Sequence, residues 1–505
     1  MSKNNNDIGK RLSALKKKLE LLRKYDHALG ILDFDFETIV PADSREEEAE
    51  VIDFFSNERF KIANSSKMKE LIQSIYKDKD LIEDKLDVKL IEILYEGFEK
   101  TKNITPEFDL KMSNIYSKAY NSWLKAKEAK DYNLFKDSFK EVIDISKEAV
   151  NLRENKLENY YDNLLNDCEK GMLQKDLDPF FKELKEGLLE LINRIKNSKH
   201  VIRRDFLDRF VPIYKQDQFS KYLLTLNGYN FAKGCLATTE HPFTNCIAKN
   251  DARVTTHYHE NMFLSNIFSI IHEGGHAIFM QNERECDHEH FINDYPTNGM
   301  HESVSRFYEN FIGRSKEYIH LIYPKFKETF NEFDDVSEQE LYEAVNIVEP
   351  SLIRTEADEV TYGLHIIIRY EIEKMICNNE ISVDDVPHIW NKLYKEYLGI
   401  DVPDDSQGVL QDVHWTGGFG YFPSYALGNC YNAMYIKRME KEIPLKELIE
   451  KGDFQAINGW MKNNVFIHAN VLTPKEWIKE LTGESLSPKS FLEYLNNKYK
   501  SIYEF

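Results

Sequence analysis

Between Phe263 and Met280 the chain reads FLSNIFSIIHEGGHAIFM. Apolar side chains cover nearly the whole circumference of a helix built on this stretch, so such a helix has to be buried. It nevertheless contains two glycines, each costing roughly 1 kcal/mol against alanine inside a helix. It also contains His272, Glu273 and His276, and burying a carboxylate without a partner costs more still. A fold for this chain must surround the segment with other elements and give those three side chains something to bind.

The chain is long enough to do so, with 505 residues of which 42% are hydrophobic. Glycine (21) and proline (14) are scarce and helix formers dominate, which predicts a mostly α-helical protein. Residues 8–30 place Ile8, Leu12, Leu15, Leu19 and Leu22 on one helical stripe with lysines opposite. This is the pattern of a helix packed on the body of the protein, the alternative being a basic helix on a membrane surface. Leu-rich, charge-laced helical segments continue to about residue 200, among them 138–157, with short polar breaks at NSSK and NITPEF. No linker is long or Gly/Ser-rich enough to separate independent domains. The whole of 1–505 therefore reads as one domain, with an N-terminal helical lobe over 1–200 and a second part over 201–505 that carries the His272–His276 segment. From Gly228 to Tyr258 the texture changes to turns and two to three short strands. Helices resume near Asn261, and Gln407–Leu427 is a Gly- and aromatic-rich loop.

The net charge of −20 argues against a nucleic-acid footprint. No run of about 18 apolar residues predicts a membrane span, and the first residues contain no apolar core of a signal peptide. The six cysteines are scattered, as free thiols of a reducing compartment would be, so a cytoplasmic location is expected.

His272 and His276 stand one helical turn apart on one face, so both imidazoles can reach one metal ion. Glu273 projects beside that face, where it can act on a water. This is the HExxH arrangement of zinc peptidases. Gly274 and Gly275 mark a close approach by a neighbouring backbone or by substrate. A hydrolytic zinc needs a third protein ligand. Phe279 and Asn282 stand where the metzincin pattern needs Gly and His, which excludes that subclass. Glu302 in GMHESVSRFYENF is the best third ligand, on the first turn of a helix held by Phe307 and Phe311. His288 and His290 in CDHEH are its rivals, in a segment that reads as exposed and loop-like.

Several further motifs occur in order: FDFETIVP (Phe34–Pro41), HPF (His241–Phe243), DARVT (Asp251–Thr255), HEGGH and HES. IRTEAD (Ile353–Asp358), GVLQDVHW (Gly408–Trp415), HANVLTPKEWIKELTGE and YLNNKY follow. Together they resemble the carboxypeptidase Taq family of metallocarboxypeptidases over nearly the whole chain. Phe34 stands where the family has Trp, and Val304 where it often has Gln or Gly. The resemblance implies a two-lobed helical body around a deep active-site groove, with the small β element beside the metal helix. It also implies a homodimer, one divalent cation (zinc first, cobalt second), and release of single amino acids from peptides with a free C-terminus.

On this reading His272, His276 and Glu302 hold the metal, and Glu273 is the general base. His414 and Tyr425 are candidates for stabilising the oxyanion. Their alternatives are a structural hydrogen bond in a turn and a core aromatic. Arg354 is the candidate for binding the substrate carboxylate, since its fork suits that group. Its alternative is a buried pair with Glu356, Asp358 or Glu359. Arg253 is a second substrate-binding candidate, or a brace of the β element with Asp251. His241 either touches substrate or anchors the turn before Pro242. Asp358 and Asp412 are candidates for orienting a ligand imidazole. Two rival functions remain at this point: an oligopeptidase or endopeptidase with a similar groove, and a non-catalytic metal-binding helical protein.

Overall fold

The computed structural model describes residues 2–293, 297–468 and 471–505. Ala469 and Asn470 of the HANVLTPKEW motif lie outside the described residues. The first helix, α1 (Ser2–Thr38), buries Ile8, Leu15, Leu19 and Leu22 of the expected stripe and half-buries Leu12. Next come α2 (Arg45–Ala63), α3 (Ser66–Lys77) and α4 (Lys85–Thr101). Leucines and isoleucines of α1, α3 and α4 close a small core of their own, around Leu15, Leu71, Ile75, Leu90 and Ile91.

Helices α5 (Pro106–Ala129), α6 (Asn133–Asn151), α7 (Tyr160–Cys168), α8 (Gln174–Lys196) and α9 (Ile213–Asn227) follow. The helix expected over 138–157 ends at Asn151, and the chain turns into Asn159, whose side chain accepts from Asp162 N to start α7. Three strands occupy the expected β region: β1 (Leu236–Thr238), β2 (Thr244–Ala248) and β3 (Asp251–Thr256). They form an open sheet in the order β1-β3-β2. β1 runs parallel to β3, with Leu236 opposite Val254, and β2 runs antiparallel, with Thr244 opposite Val254.

The rest of the chain is helical. Helix α10 (Phe263–Gln281) is followed by α11 (Glu285–Glu289) and α12 (Asn298–Arg306), which runs on as a π-helical turn, Phe307–Ile312. Then come α13 (Lys316–Thr329), α14 (Glu338–Ala344), α15 (Tyr362–Cys377) and α16 (Val386–Leu398). Helices α17 (Pro423–Glu442), α18 (Leu445–Glu450), α19 (Phe454–Asn464), α20 (Pro474–Thr482) and α21 (Lys489–Tyr503) complete the chain.

The large core draws on side chains from Ala119 to Tyr503 and encloses α10. Phe263, Ile267, Phe268, Ile270, Ile271, Ile278 and Phe279 are all buried. Each such side chain contributes roughly 1.5–3 kcal/mol on burial, which far outweighs the two glycines. The link from α10 to α12 leaves this body: Ile292 is buried in the small amino-terminal core, and the Arg23 guanidinium lies over the Phe291 ring, 4.0 Å from its centroid. The loop expected over Gln407–Leu427 is shorter than its composition implies. Pro423 at the first turn of α17 starts a helix, so Tyr425 sits on a rigid element.

Candidate active site

The two glycines of HEGGH are explained by what crosses them. A Cβ on Gly275 would lie 2.9 Å from Ser305 Cα, and one on Gly274 would lie 2.7 Å from Leu224 Cδ2. Gly275 thus lets the backbone of α12 lie against α10, which brings Glu302 to the histidines. Gly428 does the same from the other side, since a Cβ there would stand 3.0 Å from Glu302 Cγ.

The result is a compact set of donors. Glu302 Oε2 is 3.7 Å from His272 Nε2 and 3.6 Å from His276 Nε2. Two donors of a tetrahedral zinc site with bonds of about 2.0–2.1 Å stand about 3.4 Å apart, so these three side chains fit a divalent cation. The outer ring nitrogens are occupied in the way such a site needs. His272 Nδ1 meets Glu309 Oε2 at 2.8 Å, and His276 Nδ1 meets His301 Nδ1 at 2.6 Å. Both bonds leave Nε2 free to face the cation. His301 is held neutral, because burial and then the neighbouring His276 push its pKa well below the ordinary value.

The local field also asks for a cation. Burial opposes an imidazolium at His272, yet Glu302 and Glu309 outweigh it and raise the pKa to about 9. Burial opposes the Glu309 carboxylate too, but Arg306 and His272 lower it to about 2. Arg306 binds both acids, with Nε 2.8 Å from Glu302 Oε1 and Nη1 3.0 Å from Glu309 Oε2. Beside the metal face, the Thr244 hydroxyl of β2 donates to Glu273 Oε2 at 2.7 Å and fixes that carboxylate.

A cavity of about 140 Å³ opens onto this set, lined by His276, Asn298, His301, Glu302, Tyr421, Ser424 and Tyr425. Tyr425 Oη lies 3.2 Å from His414 Nε2. Burial lowers His414 to about 4; Asp412 opposes this, while Arg354 and Arg369 add to it. Burial raises Tyr425, so it stays a neutral hydroxyl. Arg354 is buried behind Tyr425, its guanidinium 4.9 Å from the ring centroid. Its Nε binds Asp412 Oδ1 at 2.9 Å and its Nη1 meets Tyr362 Oη at 3.3 Å. Asp412 is shared with Arg369, whose Nε is 2.6 Å from Oδ2.

Other expected residues lie elsewhere or act otherwise. Arg253 is held by Asp251 at 2.8 Å and lies over Phe34, whose ring also meets Phe243 edge-on. His241 is exposed on the β1–β2 connection. Asp358 and Asp412 do not orient a ligand imidazole. Asp358 accepts from Val360 N, Thr361 N and Thr361 Oγ1 in its own turn, and Asp412 is engaged by two arginines. The orienting groups are Glu309 and His301. Arg354 pairs with Asp412 rather than with Glu356, Asp358 or Glu359.

The CDHEH segment is only partly exposed: Asp287 and His288 are buried on the short α11, Cys286 and His290 are half-buried, and Glu289 is exposed. His290 faces Asp84 and Asp87 away from the pocket, and Lys16 stands 2.6 Å from Asp87 there. Glu309, Arg306 and Thr244 were missed. Glu302, Arg306 and Glu309 follow one another at helical spacing on one face, which is a usable signal; Thr244 left none.

A helical body in which an HExxH helix and a neighbouring glutamate converge on one cation site defines a metallopeptidase. The chain belongs to the carboxypeptidase Taq (M32) metallopeptidase family, which matches residues 14–499. It is 41% identical over 490 residues to carboxypeptidase 1 of Bacillus subtilis (strain 168), covering 96% of this chain and 97% of the relative. It is 37% identical over 421 residues to thermostable carboxypeptidase 1 of Thermus thermophilus, covering 81% of this chain and 82% of the relative. The crystal structure of M32 carboxypeptidase from Deinococcus radiodurans R1 matches with a TM-score of 0.94 at 29% identity, over 98% of this chain and 100% of that one. The protein is a metal-dependent carboxypeptidase, and the non-catalytic alternative falls.

Proposed function

We propose that the enzyme removes single residues from peptides with a free C-terminal carboxylate, using zinc held by His272, His276 and Glu302. The observation that carries this is the pairing of the His/His/Glu set with a surplus of guanidinium charge at Arg354 and Arg369, partitioned from it by Tyr425 and Tyr362. When bound, the cation polarises the scissile carbonyl and acidifies a water. Glu273, aimed by Thr244, takes the proton of the attacking water and hands it to the leaving amine. His414 Nδ1 is buried with no hydrogen-bond partner among the described residues. A buried unpaired N–H costs more than an unpaired lone pair, so the imidazole proton belongs on Nε2, donating to Tyr425 Oη. The Tyr425 O–H is then directed to Tyr421 on the cavity wall and can turn from it to an oxyanion. Arg354 receives the terminal carboxylate: Asp412 engages only its Nε, and no hydrogen bond from its Nη2 is found among the described residues.

The family resemblance implies a homodimer. All six cysteines are free thiols, which suits the reducing cytoplasm, and no described helix is long and apolar enough to cross a membrane. Sedimentation gives the oligomeric state.

The test is mass spectrometry of an N-terminally blocked peptide as free acid and as C-terminal amide, before and after chelation and metal add-back. Stepwise shortening of the free acid alone, lost with chelator and restored by zinc, is expected. Internal cuts in both peptides would instead favour an endopeptidase and return Arg354 to a structural role.

A further inference from the structure

Glu169 follows the last residue of α7 and is completely buried. Its carboxylate accepts four hydrogen bonds. Oε1 receives Thr297 Oγ1 and Tyr431 Oη, each at 2.8 Å. Oε2 receives Gly299 N at 3.1 Å and Ser424 Oγ at 3.0 Å. All four donors are neutral. Burial raises its pKa to about 7 against the pull of these four hydrogen bonds. Burying such a group is costly, and an apolar side chain would fill the space more cheaply. The position of those donors shows what the carboxylate does.

Thr297 is the residue that caps α12, its side chain accepting from Met300 N, and Gly299 N is one of the unpaired donors of the first turn. A carboxylate at this end also suits the helix dipole. Glu302 lies one turn further on. Ser424 and Tyr431 belong to α17, which presents Tyr425 to the cavity and whose Gly428 touches Glu302. One buried carboxylate from a third helix therefore ties together the two helices whose crossing places Glu302. The fit is tight, because a Cβ on Gly299 would stand 2.8 Å from Glu169 Oε2.

We infer that Glu169 is a positioning residue of the peptidase, clamping the first turn of α12 to α17 so that Glu302 keeps its place opposite His272 and His276. The inference rests on the assignment of those three residues as metal ligands. A glutamine at 169 keeps the shape and can turn its oxygen to Gly299 N and Ser424 Oγ, but its amide then faces the Thr297 and Tyr431 hydroxyls, whose protons lose their acceptor. Its clamp is weaker, and the metal site feels the loss.

The experiment is cobalt reconstitution of wild type and of Glu169→Gln, Glu169→Asp, Tyr431→Phe and Glu302→Gln. Each is read by the visible absorption bands of the bound cobalt, by affinity in competition with a chelator, and by kcat and KM on the blocked peptide. Glu169→Gln is expected to shift the cobalt bands and weaken binding by about tenfold or more. The fall in kcat/KM should lie in kcat, with KM within about twofold. Glu169→Asp, which keeps the carboxyl group, should recover part of the affinity. Tyr431→Phe removes one donor and should act in the same direction but less; it decides the matter if Glu169→Gln does not fold. Unchanged bands and affinity in the Glu169 variants, or in Tyr431→Phe when Glu169→Gln is unfolded, would overturn the inference, provided Glu302→Gln loses the metal. Retention of full affinity by Glu302→Gln would instead mean that the ligand assignment itself is wrong.

Discussion

The two sides of the cavity carry opposite imbalances of charge. On the metal side, with His272 and His276 neutral as ligands to a cation would be, Glu273, Glu302 and Glu309 stand against the two guanidinium groups of Arg306 and Arg314, a surplus of one carboxylate. Behind Tyr425, Arg354 and Arg369 share the single carboxylate of Asp412, a surplus of one cation. Both imbalances are buried, where a net charge is costly and calls for a counter-ion. On the proposed function, a divalent cation answers the first and a peptide's terminal carboxylate the second. The difference would then account for how one cavity holds the reaction at a fixed distance from a chain end: each wall is completed by a different part of the reacting assembly.

The comparison can be broken most severely on the metal side. Glu273→Gln should lower kcat by about 10³-fold while leaving metal content and KM near wild type, as loss of a general base does; steady-state kinetics with metal analysis checks this. Between the walls, Tyr425→Phe should lower kcat by about 10²-fold with little change in KM, the loss of one oxyanion donor. On the arginine side, Arg354→Met should cut kcat/KM by roughly 10- to 100-fold, mostly through KM, because a charge-assisted hydrogen bond is lost. The ratio of free-acid to amide cleavage should fall with it, while the cobalt spectrum stays unchanged.

The last test leaves activity aside and probes a carboxylate on neither wall. Glu373 on α15 accepts from Tyr161 Oη, Trp415 Nε1 and Gly420 N, each at 2.9 Å, and so holds the turn after His414. Burial raises its pKa to about 7 against the pull of these three hydrogen bonds. Between about pH 4.5 and 7 the native state keeps a proton that the unfolded chain has lost, so stability declines as pH rises through this window. Glu373→Gln lacks that proton. Thermal unfolding should therefore show the variant gaining on wild type from pH 5 to pH 8, by up to about 3 kcal/mol. Glu309 has the opposite sign: its pKa of about 2 means stability present above pH 4.5 and lost on acidification toward pH 2.

The chemistry of the metal side was legible because its signal is local. His272, Glu273 and His276 share one helix, and Glu302 follows on the next long helical segment before a recognisable apolar stripe. The mostly helical class followed from composition, and the sheet from a change of texture over Gly228–Tyr258. The arginine side was not legible in the same way. Arg354 has three acids within five residues, yet its partner is Asp412, brought there by the packing of loop 407–422 on α15. Thr244 reaches Glu273 only because β2 lies along α10, and Glu169 reaches α12 from more than a hundred residues away. The polar run CDHEH reads as surface, but the ring of Phe291 and the side chain of Ile292 just beyond it pull the segment inward.

That inward pull has a consequence for how much of the chain the enzyme needs. Ile292 sits among Leu15, Leu19, Ile75 and Leu90, although it belongs to the connection between the two helices that carry the metal ligands. Trimming the amino-terminal hairpins would strip the apolar cover from that connection and slacken the span that sets α10 and α12 apart. The first hundred residues are thus a far anchor for the catalytic centre, and a shortened enzyme that keeps every candidate ligand would still lose one of the contacts that steady the connection between them.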